Sequence, residues 1–133
     1  MKVFLDTNIF LDFLLARKDK ISATAILRTF DDELYDYFVA DITLLNIDYI
    51  AKKQVLHVRE FLCQINDRCC VICANNSSFK KALGNKNLDL EDNLQYYLAL
   101  REGCDYIVTN DKNFLKEDIK IISSEDFVFK YLS

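Results

Sequence analysis

The chain has 133 residues, of which 51% are hydrophobic and 29% charged, a composition that excludes a disordered protein and suffices for one buried core. Its formal net charge is −4 and its pI is about 5.0, which argues against sequence-blind coating of nucleic acid driven by phosphate neutralisation. No apolar run approaches the roughly 20 residues that a membrane span needs, and the amino terminus lacks a signal-peptide pattern, so the cytosol is the expected compartment.

The first predicted element is a buried strand over Val3–Leu5, a continuous apolar run. A helical pattern resumes at Ile9, which places Asp6, Thr7 and Asn8 at a strand-to-helix junction. In open α/β sheets, ligands bind at the carboxyl ends of the strands, where such junctions lie. A cap for the following helix is the alternative role for Asp6 or Asn8.

The remaining pattern alternates helices and strands. It predicts helices over Ile9–Leu15, Ser22–Phe30, Asp41 or Thr43 to Lys53, Val55–Ile65, Ser77 or Ser78 to Gly84, Leu88–Glu102 and from Ser124 onwards, and strands over Tyr35–Ala40, Cys69–Ala74, Tyr106–Thr109 and Lys120–Ile122. Such alternation implies right-handed crossovers and a three-layer α/β fold with a mostly parallel sheet of four or five strands. Without proline or low-complexity sequence there is no candidate linker, so residues 1–133 are expected to form a single domain.

Two helices carry specific expectations about burial. The apolar side of the helix that begins near Asp41 is predicted to comprise Ile42, Leu45, Ile47, Tyr49 and Ile50. In the long helix the apolar positions are predicted to be Leu90, Leu94, Tyr97, Leu98 and Leu100. The Tyr96–Tyr97 pair is therefore expected to pack in the interior rather than to stack on nucleobases.

Five cysteines, at positions 63, 69, 70, 73 and 104, lack disulfide-like spacing. Cys70 and Cys73 form a C-x-x-C pattern near His57, which raises the alternative of a zinc site. On a strand, residues three apart point to opposite faces and do not converge on one metal. Buried structural thiols are therefore the expectation.

Acidic residues fall at equivalent places along the pattern. Asp6 follows the first strand, Asp92 stands in the Asp-Leu-Glu-Asp segment that opens the long helix, and Asp111 follows the strand over Tyr106–Thr109. Converging carboxylates repel one another unless they are protonated or neutralised, so the cluster implies a cation. An all-oxygen ligand set selects Mg²⁺ or Mn²⁺, and metal-assisted attack of water on a phosphodiester is chemistry that uses it. Helix-terminus stabilisation by Asp92 and capping of the next turn by Asp111 are the local alternatives.

Three segments resemble the PIN domain family, most closely its small bacterial toxins of the VapC type. They are Val3-Phe4-Leu5-Asp6-Thr7-Asn8, Asp89-Leu90-Glu91-Asp92-Asn93-x-x-Tyr96-Tyr97-x-Ala99, and Gly103 to Phe114 (Gly-Cys-Asp-Tyr-Ile-Val-Thr-Asn-Asp-Lys-Asn-Phe). The resemblance runs from residue 1 to about residue 130. It implies a Rossmann-like three-layer fold, Mg²⁺- or Mn²⁺-dependent endoribonuclease activity on RNA, a basic antitoxin protein as partner, and a homodimer.

The resemblance also implies roles for individual residues. Asp6, Asp92 and Asp111 match the acids that bind metal and catalyse, while Thr7, Asn8 and Thr109 match groups that position the acids or water. The family usually has a glutamate where Asn46 stands, and an asparagine adds no charge and cannot act as a base. Asn113 likewise replaces a usual aspartate. Asp48 lies about 200° further round the helix from Asn46, so Glu91 is the expected partial substitute.

Arg17, Lys18 and Lys112 are the predicted phosphate-binding residues, because they lie in or beside the loops at the same edge of the sheet. Solvated charges on helix ends are the alternative. The missing glutamate also leaves open a second function, a PIN-like module that binds RNA or protein with weak or no catalysis. A phosphoryl-transfer aspartate enzyme is disfavoured, because Asn8 stands where that chemistry needs a second aspartate.

Overall fold

The computed structural model describes Met1 to Ser133 and contains one five-stranded sheet. The strands are β1 (Lys2–Leu5), β2 (Asp36–Ala40), β3 (Cys70–Ile72), β4 (Tyr106–Val108) and β5 (Lys120–Ile122). They are all parallel and lie in the order β3-β2-β1-β4-β5. Leu5 pairs with Val108, so β1 and β4 are neighbours. The strand order reverses between them, which makes their carboxyl ends the switch point of the sheet.

Helices cover both faces of this sheet and confirm the predicted α/β fold. They are α1 (Thr7–Leu14), α2 (Lys20–Leu27), α3 (Asp41–Ala51), α4 (Val58–Arg68), α5 (Asn76–Gly84), α6 (Leu90–Arg101) and α7 (Ser124–Phe127), the last followed by a π-helical turn over Val128–Leu132. Val3 and Leu5 pack with α1 to α4 and α7, whereas Phe4 packs with α5 and α6. Because successive strand residues point to opposite faces, β1 is buried on both sides. No helix is long and apolar enough to cross a membrane.

Several predicted boundaries differ from the structure by a few residues. Helix α1 begins at Thr7 rather than Ile9, α2 begins at Lys20 rather than at Ser22, and α4 is shifted towards Arg68. Helix α5 begins at Asn76 rather than at Ser77 or Ser78, and Asn75 caps it through a capping box with Ser78; α7 begins at Ser124 as predicted, with Ser123 as its cap. In both helices the capping residue lies one to three positions before the predicted start of the helix, within a run of similar polar residues. Sequence alone did not rank those residues.

The predicted apolar side of α3 was partly wrong. Ile47 is fully buried, but Leu45 and Tyr49 are 73% and 76% exposed. Thr43, which was not assigned to the core, is fully buried instead. The buried face of α3 therefore follows Thr43, Ile47 and Ala51, at spacings of four residues, and not the most apolar positions. Leu45 and Tyr49, one turn apart on α3, thus form an exposed apolar patch.

The expectation that the thiols are buried holds for only two of the five. Cys69 and Cys104 are buried, whereas Cys63 on α4, Cys70 and Cys73 are exposed. Cys70 and Cys73 lie on and directly after β3, a short strand at the edge of the sheet. No group of three or more cysteine, histidine or carboxylate ligand atoms includes any of these thiols. The interior packing of the tyrosine pair is confirmed for Tyr96, which is fully buried and whose hydroxyl accepts hydrogen bonds from the Asp118 and Ile119 backbone N–H groups.

Candidate active site

Asp6 lies directly after β1 and is fully buried. It stands at the N-cap position of α1, and the strongest hydrogen bonds of its carboxylate lead to residues outside that helix. Oδ1 accepts a hydrogen bond of 3.0 Å from Gln95 Nε2, and Oδ2 accepts one of 2.7 Å from Thr109 Oγ1. The carboxylate is thus held from α6 on one side and from the end of β4 on the other.

Three further carboxylates converge near the start of α6. Ligand oxygens of Asp89, Asp92 and Asp111 all lie within 4.8 Å of one another. Asp89 is the residue that caps α6, because its Oδ1 accepts from the Asp92 backbone N–H at 3.1 Å. Asp111 also stabilises the turn that follows β4, because its Oδ1 accepts a hydrogen bond of 2.9 Å from the Asn113 backbone N–H. The structure therefore brings Asp92 and Asp111 together as predicted and adds Asp89, which the sequence had marked only as part of an acidic segment.

Burial and mutual repulsion change how these acids hold protons. Desolvation raises the pKa of Asp6 to about 6, against the opposing effect of the hydrogen bonds from Thr109 and Gln95. The pKa of Asp92 is raised to about 8, chiefly by desolvation, and the charge of Asp6, the adjacent Asp111 carboxyl and the charge of Asp89 contribute to that rise. Asp6 is thus close enough to Asp92 to be coupled to it, although it lies outside the tightest group of three.

One oxygen of this cluster shows that a cation would fit. Asp92 Oδ2 is the only buried side-chain nitrogen or oxygen in the protein without a hydrogen-bond partner. A buried carboxylate oxygen that lacks a partner costs free energy unless it is protonated or binds a positive charge. Oxygen ligands in this number, without histidine or thiolate, match hard cations such as Mg²⁺ or Mn²⁺. The donor set and the unpartnered oxygen therefore suit such an ion.

A polar network links α1, α3 and α6 behind this cluster. Thr7 Oγ1 lies 2.8 Å from Thr43 Oγ1 and donates to Glu91 Oε1 at 3.4 Å. Asn46 Nδ2 donates to the same oxygen of Glu91. Asn46 therefore contacts an acid without supplying one, and the charge at this corner of the site belongs to Glu91. The charge of Glu91 contributes to the raised pKa of Asp6.

Gln95 and Thr43 are site residues that the sequence analysis missed. Gln95 is fully buried, and besides donating to Asp6 it accepts from the Thr7 backbone N–H at 3.3 Å. It follows Asp92 by three positions and so shares its side of α6. The sequence signal for Gln95 was a polar residue among the apolar positions of α6, at a position that proves to be buried. Thr43 gave the same signal, standing one turn before the buried Ile47.

The predicted basic residues are exposed, and two of them share a cleft beside the acids. Arg17 Nη1 donates to Asn8 Oδ1 at 3.4 Å, so both side chains point outward at the edge of the site. Lys18 and Lys112 line a cleft of about 440 Å³ together with Lys116, Thr109 and Asp111. Asp19, Glu125 and Asp126 line it too, so the acids there outnumber the lysines.

Comparison with known proteins agrees with this geometry. Residues 2–113 match the PIN domain family model. The chain is 32% identical over 138 residues to Ribonuclease VapC1 of Aquifex aeolicus (strain VF5), an alignment that covers 95% of this chain and 92% of that protein. The fold is shared with VapBC2 from Rickettsia felis, solved bound to a DNA fragment from their promoter, at a TM-score of 0.64 and 18% identity over 92% of this chain and 98% of that one. It is also shared with Mycobacterium tuberculosis VapC20, a Sarcin-Ricin loop cleaving toxin, at a TM-score of 0.67 and 11% identity over 84% and 92% of the two chains. The family predicted from three sequence segments is confirmed: the chain belongs to the PIN domain family.

Proposed function

We propose that this chain, as a single domain over residues 1–133, is an endoribonuclease that hydrolyses RNA phosphodiester bonds with Mg²⁺ or Mn²⁺. The observation that carries the proposal is the unpartnered buried oxygen of Asp92 within a group of carboxylates at the switch point of the sheet. Asp6, Asp92 and Asp111 are the proposed metal-binding and catalytic residues, with Asp89 beside them. Support also comes from the similarity to a protein named a ribonuclease.

When bound, the divalent ion supplies positive charge that screens the phosphate oxygens and favours ionisation of the attacking water. The chain's own residues hold the acids in place. Thr109 and Gln95 each occupy one oxygen of Asp6, and every carboxylate oxygen keeps a second lone pair for another ligand. Thr109 Oγ1 also accepts from the Asp111 N–H at 3.1 Å, so one hydroxyl connects two of the acids.

The supporting residues act around this centre. Thr7 and Asn46 hold Glu91, whose carboxylate supplies charge at the corner where the family usually has a glutamate. Lys18 and Lys112, which line the cleft beside Asp111, are the proposed phosphate-binding residues. Arg17, which donates to Asn8, is proposed as a third. These are positioning and substrate-binding roles.

Cleavage of bulk transfer RNA tests the function. We expect Mn²⁺-dependent cleavage by the native protein, its loss in EDTA, and its loss in Asp6→Asn and Asp92→Asn variants. Asp36→Asn, an exposed substitution at the start of β2, is the matched control and should cleave normally. Cleavage that persists in EDTA or in the Asp6→Asn variant would contradict the proposal. RNA binding by the native protein without any cleavage would favour the alternative, a binding module.

We also propose that the protein is the toxin of a toxin–antitoxin pair and that a basic antitoxin protein binds it. The net charge of −4 favours a basic partner. A groove of about 500 Å³ between α2 and α4 offers apolar contacts from Phe13, Phe30 and Phe61. Its charged groups are mixed, since Asp31 pairs with Arg68 and Glu60 with His57, so the groove contributes apolar contact and the net charge of the chain contributes the preference for a basic partner. Co-expression with a neighbouring small basic gene product should yield a stable complex that no longer cleaves RNA. Independent elution of the two proteins would exclude that partner.

A homodimer is the proposed assembly. Leu45 and Tyr49 on α3 expose an apolar patch that a second copy would cover. Sedimentation equilibrium should give twice the monomer mass, and Leu45→Lys with Tyr49→Lys should give the monomer mass. A monomeric native protein at micromolar concentration would contradict the proposal.

A further inference from the structure

The distribution of acidic residues along the chain is uneven. Although the protein has 21 acidic residues, none falls between Asp67 and Asp89, which is the longest acid-free run in the sequence. This run contains Lys80, Lys81 and Lys86, and it forms β3, α5 and the loop that leads to α6. The next residue, Asp89, belongs to the carboxylate group of the candidate active site. A cationic segment therefore directly precedes the first acid of this group in the sequence.

In space, the three lysines surround a shallow depression of about 730 Å³. The other lining residues are Ser77, Gly84, Asn85, Tyr97 and Glu117. All three lysines are exposed, and none forms a salt bridge. Glu117, the one acid in the lining, accepts a hydrogen bond of 3.2 Å from Asn85 Nδ2. The depression thus presents three unpaired positive charges against one negative charge, unlike the lysine cleft near Lys112, where acids predominate.

The loop that carries Lys86 is fixed to the active-site helix. Asn93, which directly follows Asp92, is buried and donates to the Asn87 carbonyl at 2.8 Å and to the Ala82 carbonyl at 3.1 Å. Asn87 Nδ2 in turn donates to Asn93 Oδ1 at 2.8 Å. On the other side, Asn85 Nδ2 donates to the Tyr97 hydroxyl at 3.0 Å. These bonds hold the lysine-bearing loop and the acids in one rigid arrangement, which reduces the entropic cost of binding a ligand across both.

We infer that the surface formed by Lys80, Lys81 and Lys86, here called the α5 basic surface, binds the phosphate backbone of the RNA strand that flanks the cleaved bond. The inference rests on the proposed function. RNA that approaches the acidic active site is repelled by the carboxylates and by the net charge of −4. Positively charged side chains near the site are therefore needed to bind its phosphates. Lysine binds phosphate as a point charge without base specificity, so this surface contributes affinity rather than sequence preference.

Fluorescence anisotropy tests the inference without catalysis. The probe is a labelled 20-nucleotide single-stranded RNA of mixed sequence in EDTA, and the proteins are the native chain, Lys80→Ala/Lys81→Ala/Lys86→Ala, and a control triple variant. The control, Lys52→Ala/Lys53→Ala/Arg59→Ala, removes the same charge from exposed positions at the end of α3 and the start of α4. Thermal unfolding should show that both triple variants are folded.

We expect the α5 triple variant to reduce the slope of log K against log salt by about 2, since each phosphate contact to a single strand contributes roughly 0.7. Between 50 and 200 mM salt, the native Kd should therefore rise about fifteen- to twentyfold more than the variant Kd, with the control behaving as native. Equal effects of the two triple variants, or no effect of either, would overturn the inference. Equally tight, competitive binding of a poly-glutamate peptide would instead identify the surface as a protein-binding site.

The same proteins separate this inference from the proposed function. If the native chain cleaves RNA and the α5 triple variant both binds and cleaves as well as native, the inference fails while the function stands. If no protein cleaves RNA but only the α5 triple variant loses binding, the nuclease proposal fails and the α5 basic surface remains an RNA-binding surface.

Discussion

Replacing Asp92 with asparagine should stabilise the metal-free protein at neutral and alkaline pH, although it removes a proposed metal ligand. The asparagine has the same shape, carries no charge, and its Nδ2 can donate to Asp111. In the folded native chain the pKa of Asp92 is raised from 3.8 to about 8, chiefly by desolvation and by the charge of Asp6. Because this pKa is raised in the folded state, the contribution of Asp92 to the free energy of unfolding is most favourable below pH 4, where its carboxyl is protonated in both the folded and the unfolded chain. Stability is then lost as pH rises towards 8.

The size of this effect follows from the pKa difference. Each step of one in pKa corresponds to about 1.4 kcal/mol, so the upper limit at pH 7 is about 4 kcal/mol. Part of the repulsion that raises the pKa of Asp92 comes from Asp6, whose own pKa is raised, so the two carboxyls titrate as a coupled pair. We therefore expect the variant to recover only about 1–2 kcal/mol of this upper limit.

Urea unfolding in EDTA at pH 4 and pH 8 measures the effect. At pH 8 the free energy of unfolding should be larger for Asp92→Asn than for the native protein, and near pH 4 the two values should be equal. Asp36→Asn, exposed and distant from the cluster, should show no such pH dependence. A native protein that is equally or more stable than Asp92→Asn at pH 8 in EDTA would refute the argument that the carboxylate cluster is strained by its own charge.

Three further predictions concern the same centre. Saturating Mn²⁺ should raise the melting temperature of the native protein, since a hundredfold excess over Kd stabilises the folded state by about 2.7 kcal/mol. The rise should be larger at pH 8 than at pH 6, because Asp92 must lose its proton to bind the ion. Equal melting curves with and without Mn²⁺ at pH 8 would count against a metal site. Gln95→Leu should destabilise the fold by about 1–3 kcal/mol, since it leaves buried polar groups of Asp6 and Thr7 without partners, and should lower kcat more than it raises KM; an unchanged kcat would show that Gln95 is not needed to position Asp6. Glu91→Gln should weaken Mn²⁺ binding measured by electron paramagnetic resonance, whereas unchanged affinity would assign Glu91 a purely structural role.

The position of the acids could be predicted because it depends on local patterns. A continuous apolar run identifies β1 and β4 as central strands, and alternation with helices makes the strands parallel. Asp6 and Asp111, each following one of these strands, must then lie at the same edge of the sheet. Asp92 follows from the cap signal at the start of α6. These inferences need the order of the elements and not their detailed packing.

What sequence could not predict depends on contacts between elements far apart in the chain. Leu45 and Tyr49 fit a helical apolar period as well as Thr43 and Ile47 do, and only the position of α3 against the sheet decides which pair is buried. Gln95 looks like an ordinary helix residue until the fold places it against Asp6, 89 positions away. The exposure of Cys70 likewise follows from the place of β3 at the edge of the sheet.

The average charge of the chain hid how its charges are arranged. A net charge of −4 argues against binding a polyanion only if acids and bases are evenly mixed. Here Asp89, Asp92 and Asp111 lie together, and the unpartnered oxygen of Asp92 favours a cation, whereas the segment just before Asp89 carries lysines and no acids. Because exposed charges are screened beyond about 8–10 Å at physiological salt, a bound RNA responds to these local groups and not to the total. On the proposed function, the lysines before Asp89 and the cation held by the carboxylates are therefore the local charges that would attract RNA, although the net charge of the chain is negative.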